Sequence, residues 1–313
     1  MLAEQDSPRD RSKQTLSKLD SESLNRATRR SQLCAATAIG IALLALVGWL
    51  SGVRFLAGQW DTLIPMAPST ALAFLLLGGA LFGFARWRSL RLSRIFALTA
   101  TIIVLLLGLL VLAQFIVGID LGVEQALSRT NELLGSTPLG RMALLTAVAF
   151  LLESAALYLL LAPQWRHAGT AAALLAAGAI AINAVVLIGY LYGVPLLYGG
   201  TNIPVALPTA IAFVLLGVGQ IYLAAPGVPA LRAWHRASTR GILLRAFLPF
   251  MMLVILIEGW IAVAIQPVLS LNPALWKSLT ALAAGGSMVV IIVWLAGRIG
   301  GAIERTEAAL CEA

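Results

Sequence analysis

Glu153 and Glu258 are the residues of this 313-residue chain whose surroundings could best turn them to chemistry. Each lies in an apolar run long enough to cross a bilayer, where an ionised carboxylate costs about 3 kcal/mol on insertion scales. Each is therefore expected to be protonated or paired. Two roles suit such a group: sensing or proton coupling, and hydrogen bonding between helices. Asn183 stands in the same setting, and Gln114 and Gln220, nearer the ends of their runs, are further candidate partners. Enzymatic chemistry finds less support. The only histidines, His167 and His235, sit beside Arg166 and Arg236 in short polar breaks, and Cys34 and Cys311 are far apart. Metal-ligand spacings and glycine-rich phosphate loops are missing, so no catalytic residue, no metal and no cofactor is expected.

The elements that must hold these residues are read from composition. Sixty per cent of the chain is hydrophobic, 12% is charged, and the mean hydropathy is +0.91. A soluble domain carries about 25% charged residues, so a membrane protein is expected. Runs of about 20 apolar residues match a hydrocarbon core of about 30 Å at 1.5 Å per residue. Eight such runs can be drawn, over residues 33–53, 66–85, 94–118, 141–162, 169–192, 204–225, 242–265 and 275–297. The unbroken apolar stretch from Ile102 to Leu112 is a helix pattern rather than the alternation of a membrane β-barrel. The fold class expected is all-α, a polytopic membrane helical bundle of about eight transmembrane helices.

Net charge is +8, from 22 Lys and Arg against 14 Asp and Glu. With eight spans, eighteen of the 22 basic residues fall on one side, including seven in residues 1–30 and the group Arg86, Arg88, Arg91 and Arg94. Cytoplasmic loops carry such an excess. The charge therefore reports topology, with both termini cytoplasmic and the lipid bilayer rather than nucleic acid as partner. Residues 1–32 are expected to form a basic, mostly disordered cytoplasmic arm, with at most a short helix near Thr15 to Arg30.

Three stretches share one pattern: Met66-Ala-Pro-Ser-Thr70-Ala-Leu-Ala-Phe74, Met142-Ala-Leu-Leu-Thr146-Ala-Val-Ala-Phe150, and Thr209-Ala-Ile-Ala-Phe213. In each case the preceding run ends in an aromatic residue followed three positions later by glycine: Trp49 and Gly52, Phe115 and Gly118, Tyr190 and Gly193. The unit is a two-span hairpin, repeated in parallel over 33–85, 94–162 and 169–225 and followed by a C-terminal pair over 242–297 that lacks the pattern. Small residues on these faces let membrane helices approach closely. The alternative to plain packing is an outer-rim pocket formed by Trp49, Thr70, Phe115, Thr146, Tyr190, Tyr192, Tyr198 and Thr209, with Asp120 and Glu124 from the loop 119–140. In that loop Val123, Leu127 and Leu134 recur at helical spacing, which predicts an amphipathic surface helix acting as a cap or a ligand lid.

Three strings resemble a known family. Gly118-Ile-Asp-Leu-Gly-Val-Glu-Gln125, Gly140-Arg-Met-Ala143 with Thr146-Ala-Val-Ala-Phe150, and Gly189-Tyr-Leu-Tyr-Gly-Val-Pro195 with Leu196-Leu-Tyr-Gly199 look like the N-terminal multi-span membrane sensor region of bacterial PAS-containing sensor histidine kinases and diguanylate cyclases. The likeness is best over residues 115–226. At the position before the third Thr-Ala, where such proteins often carry histidine, this chain has Pro208. The resemblance implies an inner-membrane sensor or input module of a two-component system, a homodimer, and a downstream PAS or kinase module in cis or in trans. Phosphoacceptor and nucleotide-binding elements are not found, so the chain as it stands is not expected to be an enzyme. Past Arg298, Ile299, Ile303, Thr306 and Leu310 follow coiled-coil spacing and predict a cytoplasmic signalling helix over 298–313. A polytopic transporter or channel subunit is the alternative function.

Overall fold

A computed structural model describes residues 8–59, 63–118, 133–134, 137–138, 140–162, 166–193, 203–228, 251–254, 256–257, 259–261 and, singly, 282, 285, 286 and 289. It divides into a unit over Met1–Ala233 and a second over Trp234–Ala313. Among the described residues the first contains six α-helices: α1 (Pro8–Ser51), α2 (Pro68–Arg86), α3 (Arg91–Val117), α4 (Leu144–Leu161), α5 (Ala168–Leu191) and α6 (Leu207–Ala224). All six are long and apolar enough to cross a membrane, α1 through its portion Leu24–Ser51. Their bounds fall within a few residues of the first six expected spans, apart from the start of α1. In the second unit the described residues between Met251 and Ile261, and residues 282, 285, 286 and 289, are helical. The remainder of the seventh and eighth expected spans lies outside the described residues.

Two local features differ from expectation. Helix α1 begins at Pro8, so helix runs through most of the basic arm expected to be disordered. Proline suits the first turn of a helix, where its missing N–H has no intrahelical partner to lose. Within the outer loop, Leu133–Leu134 and Thr137–Pro138 form a two-residue antiparallel pairing, although Leu134 was expected on a surface helix. The intervening Gly135 and Ser136 are turn-forming residue types. The proposed helix positions Val123 and Leu127 lie outside the described residues.

Helix packing follows a simple rule. Helix α1 packs on α2 and α6, α3 on α2 and α4, and α5 on α4 and α6, while α2, α4 and α6 also touch one another. An outer ring of three helices therefore encloses an inner three. The inner helices have 18 or 19 residues, close to 30 Å, whereas α3 has 27 and α5 has 24. Burial runs against hydropathy. Helix α2, the least apolar of the six, is mostly buried, whereas α3, the most apolar, is mostly exposed. The most apolar helix is the one that displays Ile95, Ile102, Ile103, Leu106 and Ile116 outward, as a lipid-facing helix must.

Each outer helix turns its small side chains inward. Ala35, Ala38, Ala42 and Ala45 of α1, Thr101, Val104, Gly108 and Val111 of α3, and Ala176, Ala179, Asn183 and Val186 of α5 are all buried. These residues stand at the same distances before Trp49, Phe115 and Tyr190. Association of helices in lipid depends on close van der Waals packing, because tails and side chains are equally apolar. Small residues at a steady three-and-four spacing provide that closeness.

Candidate functional site

Inner helices start from non-helical backbone that is itself buried. Ile64, Met66 and Ala67 precede α2, Met142 and Ala143 precede α4, and Val205 and Ala206 precede α6. Ala67, Ala143 and Ala206 occupy the N-cap positions in extended conformation, with ψ of 146°, 150° and 144°. Pro68 helps set the first of these starts, since proline favours an extended predecessor, and Pro208 fits the first turn of α6, where its missing N–H costs nothing.

Irregular backbone at membrane depth must find hydrogen-bond partners within the protein. Trp49 Nε1 donates to the Met66 carbonyl at 2.7 Å, and Tyr190 Oη donates to the Val205 carbonyl at 2.7 Å. Those carbonyls belong to the fourth residue before Thr70 and Thr209 respectively. The two bonds thus tie equivalent points in the first and third hairpins. Phe115, which holds the corresponding place in the second, packs against the core and has no polar atom to donate. Three positions past each aromatic stands a glycine with positive φ: Gly52 at 75°, Gly118 at 73° and Gly193 at 70°. Only glycine enters that left-handed region without strain, which accounts for the aromatic-x-x-glycine spacing.

Thr70, Thr146 and Thr209 sit in the first turn of the inner helices, each 2% exposed. One turn further in, Phe74, Phe150 and Phe213 meet. Their ring centroids are 4.9 Å apart for Phe74 and Phe150 and 4.6 Å for each of the other two pairs, in tilted or edge-on geometry. Aromatic quadrupoles favour these arrangements over flat stacking. Three fully buried rings from three helices therefore close the centre of the bundle. Their signal was present in the recurring Thr-Ala-x-Ala-Phe string, but nothing in a linear pattern reveals that the phenylalanines face one axis.

Below this layer lie Leu77, Glu153 and Leu216, all with zero exposure. Glu153 is the one acidic residue in the six apolar spans. Its main-chain carbonyl accepts a hydrogen bond from Gln220 Nε2 at 3.1 Å, whereas neither carboxylate oxygen has a hydrogen-bond partner among the described residues. Asn183 is also buried, but its Nδ2 donates to the Ala179 carbonyl of its own helix at 2.9 Å. Tyr192 is half-buried just past α5. Asp120, Glu124, Tyr198 and Glu258 lie outside the described residues, as do Ile299, Ile303, Thr306 and Leu310 of the expected signalling helix.

One end of the bundle is rich in arginine. Arg30 at the α1 side stacks over Tyr222 of α6 at 5.5 Å, and Arg88 lies over Phe84 at 5.3 Å. Arg94, in the first turn of α3, donates to the Leu161 carbonyl at the end of α4 at 2.8 Å. Such contacts satisfy a helix C-terminus and keep the cations at the rim of the apolar zone. His167 is exposed at the N-cap of α5 on this same end. Among the described residues, no three His, Cys, Asp or Glu side chains gather into a metal-binding group. No family model, curated protein or solved structure matches the chain.

Proposed function

We propose that the chain is an integral membrane sensor or input module of bacterial signal transduction, of the kind that feeds a histidine kinase. In this reading a bundle of three parallel two-helix repeats, followed by a C-terminal helix pair, biases a cytoplasmic helix over 298–313. That helix passes the change to a PAS or kinase module, in cis or in trans, within a homodimer. The triplicated architecture is supported by matching positions: the small-residue faces, the positive-φ glycines, the two aromatic-to-carbonyl bonds, and the three meeting phenylalanines. The arginine-rich end is assigned to the cytoplasm because basic residues remain on that side during insertion.

The observation that carries this reading over transport is the aromatic closure. Phe74, Phe150 and Phe213 occupy the axis where an aqueous route between the inner helices would run. A packed bundle of this kind suits changes in helix packing, since packed interfaces switch between discrete arrangements. Buried Glu153 favours the second reading, a transporter subunit, because in-span carboxylates often mark ion pathways.

Joining the chain through Ala313 to a reporter kinase, in either of two helical phases, tests the proposal. Output that depends on helical phase and changes with Phe150→Leu supports signalling. Output indifferent to both, together with solute uptake by proteoliposomes of the purified chain, would reject signalling in favour of transport.

A further inference from the structure

At one level of the bundle, two inner helices contribute Leu77 and Leu216 and the third contributes Glu153, all fully buried. Leucine needs no polar partner there, but a carboxylate does. Glu153 Oε1 and Oε2 both lack a hydrogen bond, as do Gln220 Oε1 and Ser154 Oγ. Gln220 itself is held against Glu153, since its Nε2 donates to the Glu153 carbonyl at 3.1 Å. Its amide oxygen is therefore an uncommitted acceptor beside the acidic residue. Gly217, one turn before Gln220, makes room for the carboxylate: a Cβ at that position would lie 2.8 Å from Glu153 Oε1. The carboxylate oxygens of Glu153 and the amide oxygen of Gln220 are thus buried acceptors that no hydrogen bond satisfies among the described residues.

Among the described residues, the neighbouring elements supply no counter-charge. On α3, Arg94 is engaged with the Leu161 carbonyl, two turns along from Glu153. On α6, Tyr222 lies under Arg30 of α1. Helix α2 contributes Arg86 only in its last turn, and Cys34 of α1 faces Gly219. Tyr158 of α4 is exposed, and Tyr190 of α5 is committed to Val205 at the opposite end. An ionised carboxylate in such a place is strongly unfavourable unless a positive charge joins it.

We propose that Glu153 and Gln220 form a binding site for one small monovalent cation, a proton or a sodium ion, in the interior of the bundle. The cation attaches to a Glu153 carboxylate oxygen, and the Gln220 amide oxygen supplies a neutral acceptor beside it. A proton taken up by the site comes from bulk water and returns there, so no co-reactant is needed. The site stands whether the chain signals or transports.

The test uses the full chain in detergent and N,N′-dicyclohexylcarbodiimide, which attaches to protonated carboxyl groups in apolar surroundings. Adduct formation at Glu153, followed by peptide mass spectrometry, is expected to fall at least tenfold from about pH 5 to about pH 9. Slower labelling in about 100 mM sodium chloride than in potassium chloride assigns sodium, by mass action at the shared carboxylate. Equal labelling in the two salts, with the pH response kept, assigns the proton. Glu153→Gln abolishes the adduct, and Gln220→Leu moves the pH of half-maximal labelling. Folded, monodisperse protein whose Glu153 is unlabelled, or labelled at a rate indifferent to pH and sodium, overturns the site. An unchanged pH response in Gln220→Leu overturns the part given to Gln220.

Discussion

Truncating any one of the three axial phenylalanines should destabilise the bundle by a similar amount, because each ring meets both others. Phe150→Ala removes two ring pairs, with centroids 4.9 and 4.6 Å apart. At about 0.5–1.5 kcal/mol per pair, that is a loss of about 1–3 kcal/mol. Lipid is as apolar as the core, so no water-transfer term is added. The void left behind, on the order of 100 Å³ at about 24 cal/mol per Å³, adds about 2 kcal/mol. The expected loss is therefore about 3–5 kcal/mol for Phe74→Ala, Phe150→Ala and Phe213→Ala alike. Reversible unfolding in mixed micelles of increasing dodecyl sulfate fraction, followed by circular dichroism, measures it. The double variant Phe74→Ala/Phe150→Ala should lose less than the two single losses together, by about 0.5–1.5 kcal/mol, since their shared pair can be removed only once. Ile116→Ala, at an outward position 77% exposed, should stay within about 0.5 kcal/mol of the parent. Strictly additive losses, or single losses no larger than that of Ile116→Ala, would refute the aromatic closure.

Trp49→Phe and Tyr190→Phe each leave a carbonyl in buried extended backbone without its side-chain donor, so each should cost about 1–3 kcal/mol in the same assay. Phe115→Leu removes no donor and should fall below both. Gly217→Ala places a methyl 2.7 Å from Ile180 Cγ1 and 2.8 Å from Glu153 Oε1, for a loss of about 1–3 kcal/mol. Gly40→Ala meets nothing within 4 Å in mid-helix and should gain about 0.5–1 kcal/mol. For orientation, alkaline phosphatase fused after Ser89 should be inactive and after Gln59 active if the arginine-rich end lies in the cytoplasm as proposed; the reverse pattern would invert the topology.

Helix positions could be read closely from residue order, because a backbone in lipid has to satisfy its own hydrogen bonds and an apolar run of sufficient length does so as helix. Which helices lie inside could not. In water, hydrophobicity marks burial, but here α3, with its run Ile102 to Leu112, is turned outward with α1 and α5, and the less apolar α2 is enclosed. Threonine, alanine and glycine at fixed spacing were the better guide, and they led to Thr70, Thr146 and Thr209 without revealing the phenylalanine contact one turn deeper. Glu153 was legible as a buried acid from its setting. Its neighbours were less so: Asn183, an equally plausible partner by sequence, bonds within its own helix, while Gln220, nearer a helix end, reaches Glu153 across the bundle. Rotation about the helix axis decides such pairings, and no linear distance encodes it.

The packing of α1 against both α2 and α6 bears on how the molecule is made. Translation proceeds at about 5–20 residues per second, so the first helix enters the membrane on the order of ten seconds or more before the sixth emerges. Throughout that interval the alanine face of α1 lacks half of its final neighbours, and Phe74 has neither Phe150 nor Phe213 to meet until α4 and α6 follow. Closure of the ring is thus a late event in biogenesis, completed by the last of the six helices. A nascent chain halted before Leu207 should remain open to crosslinking along α1, and one extended beyond Gly227 should be protected.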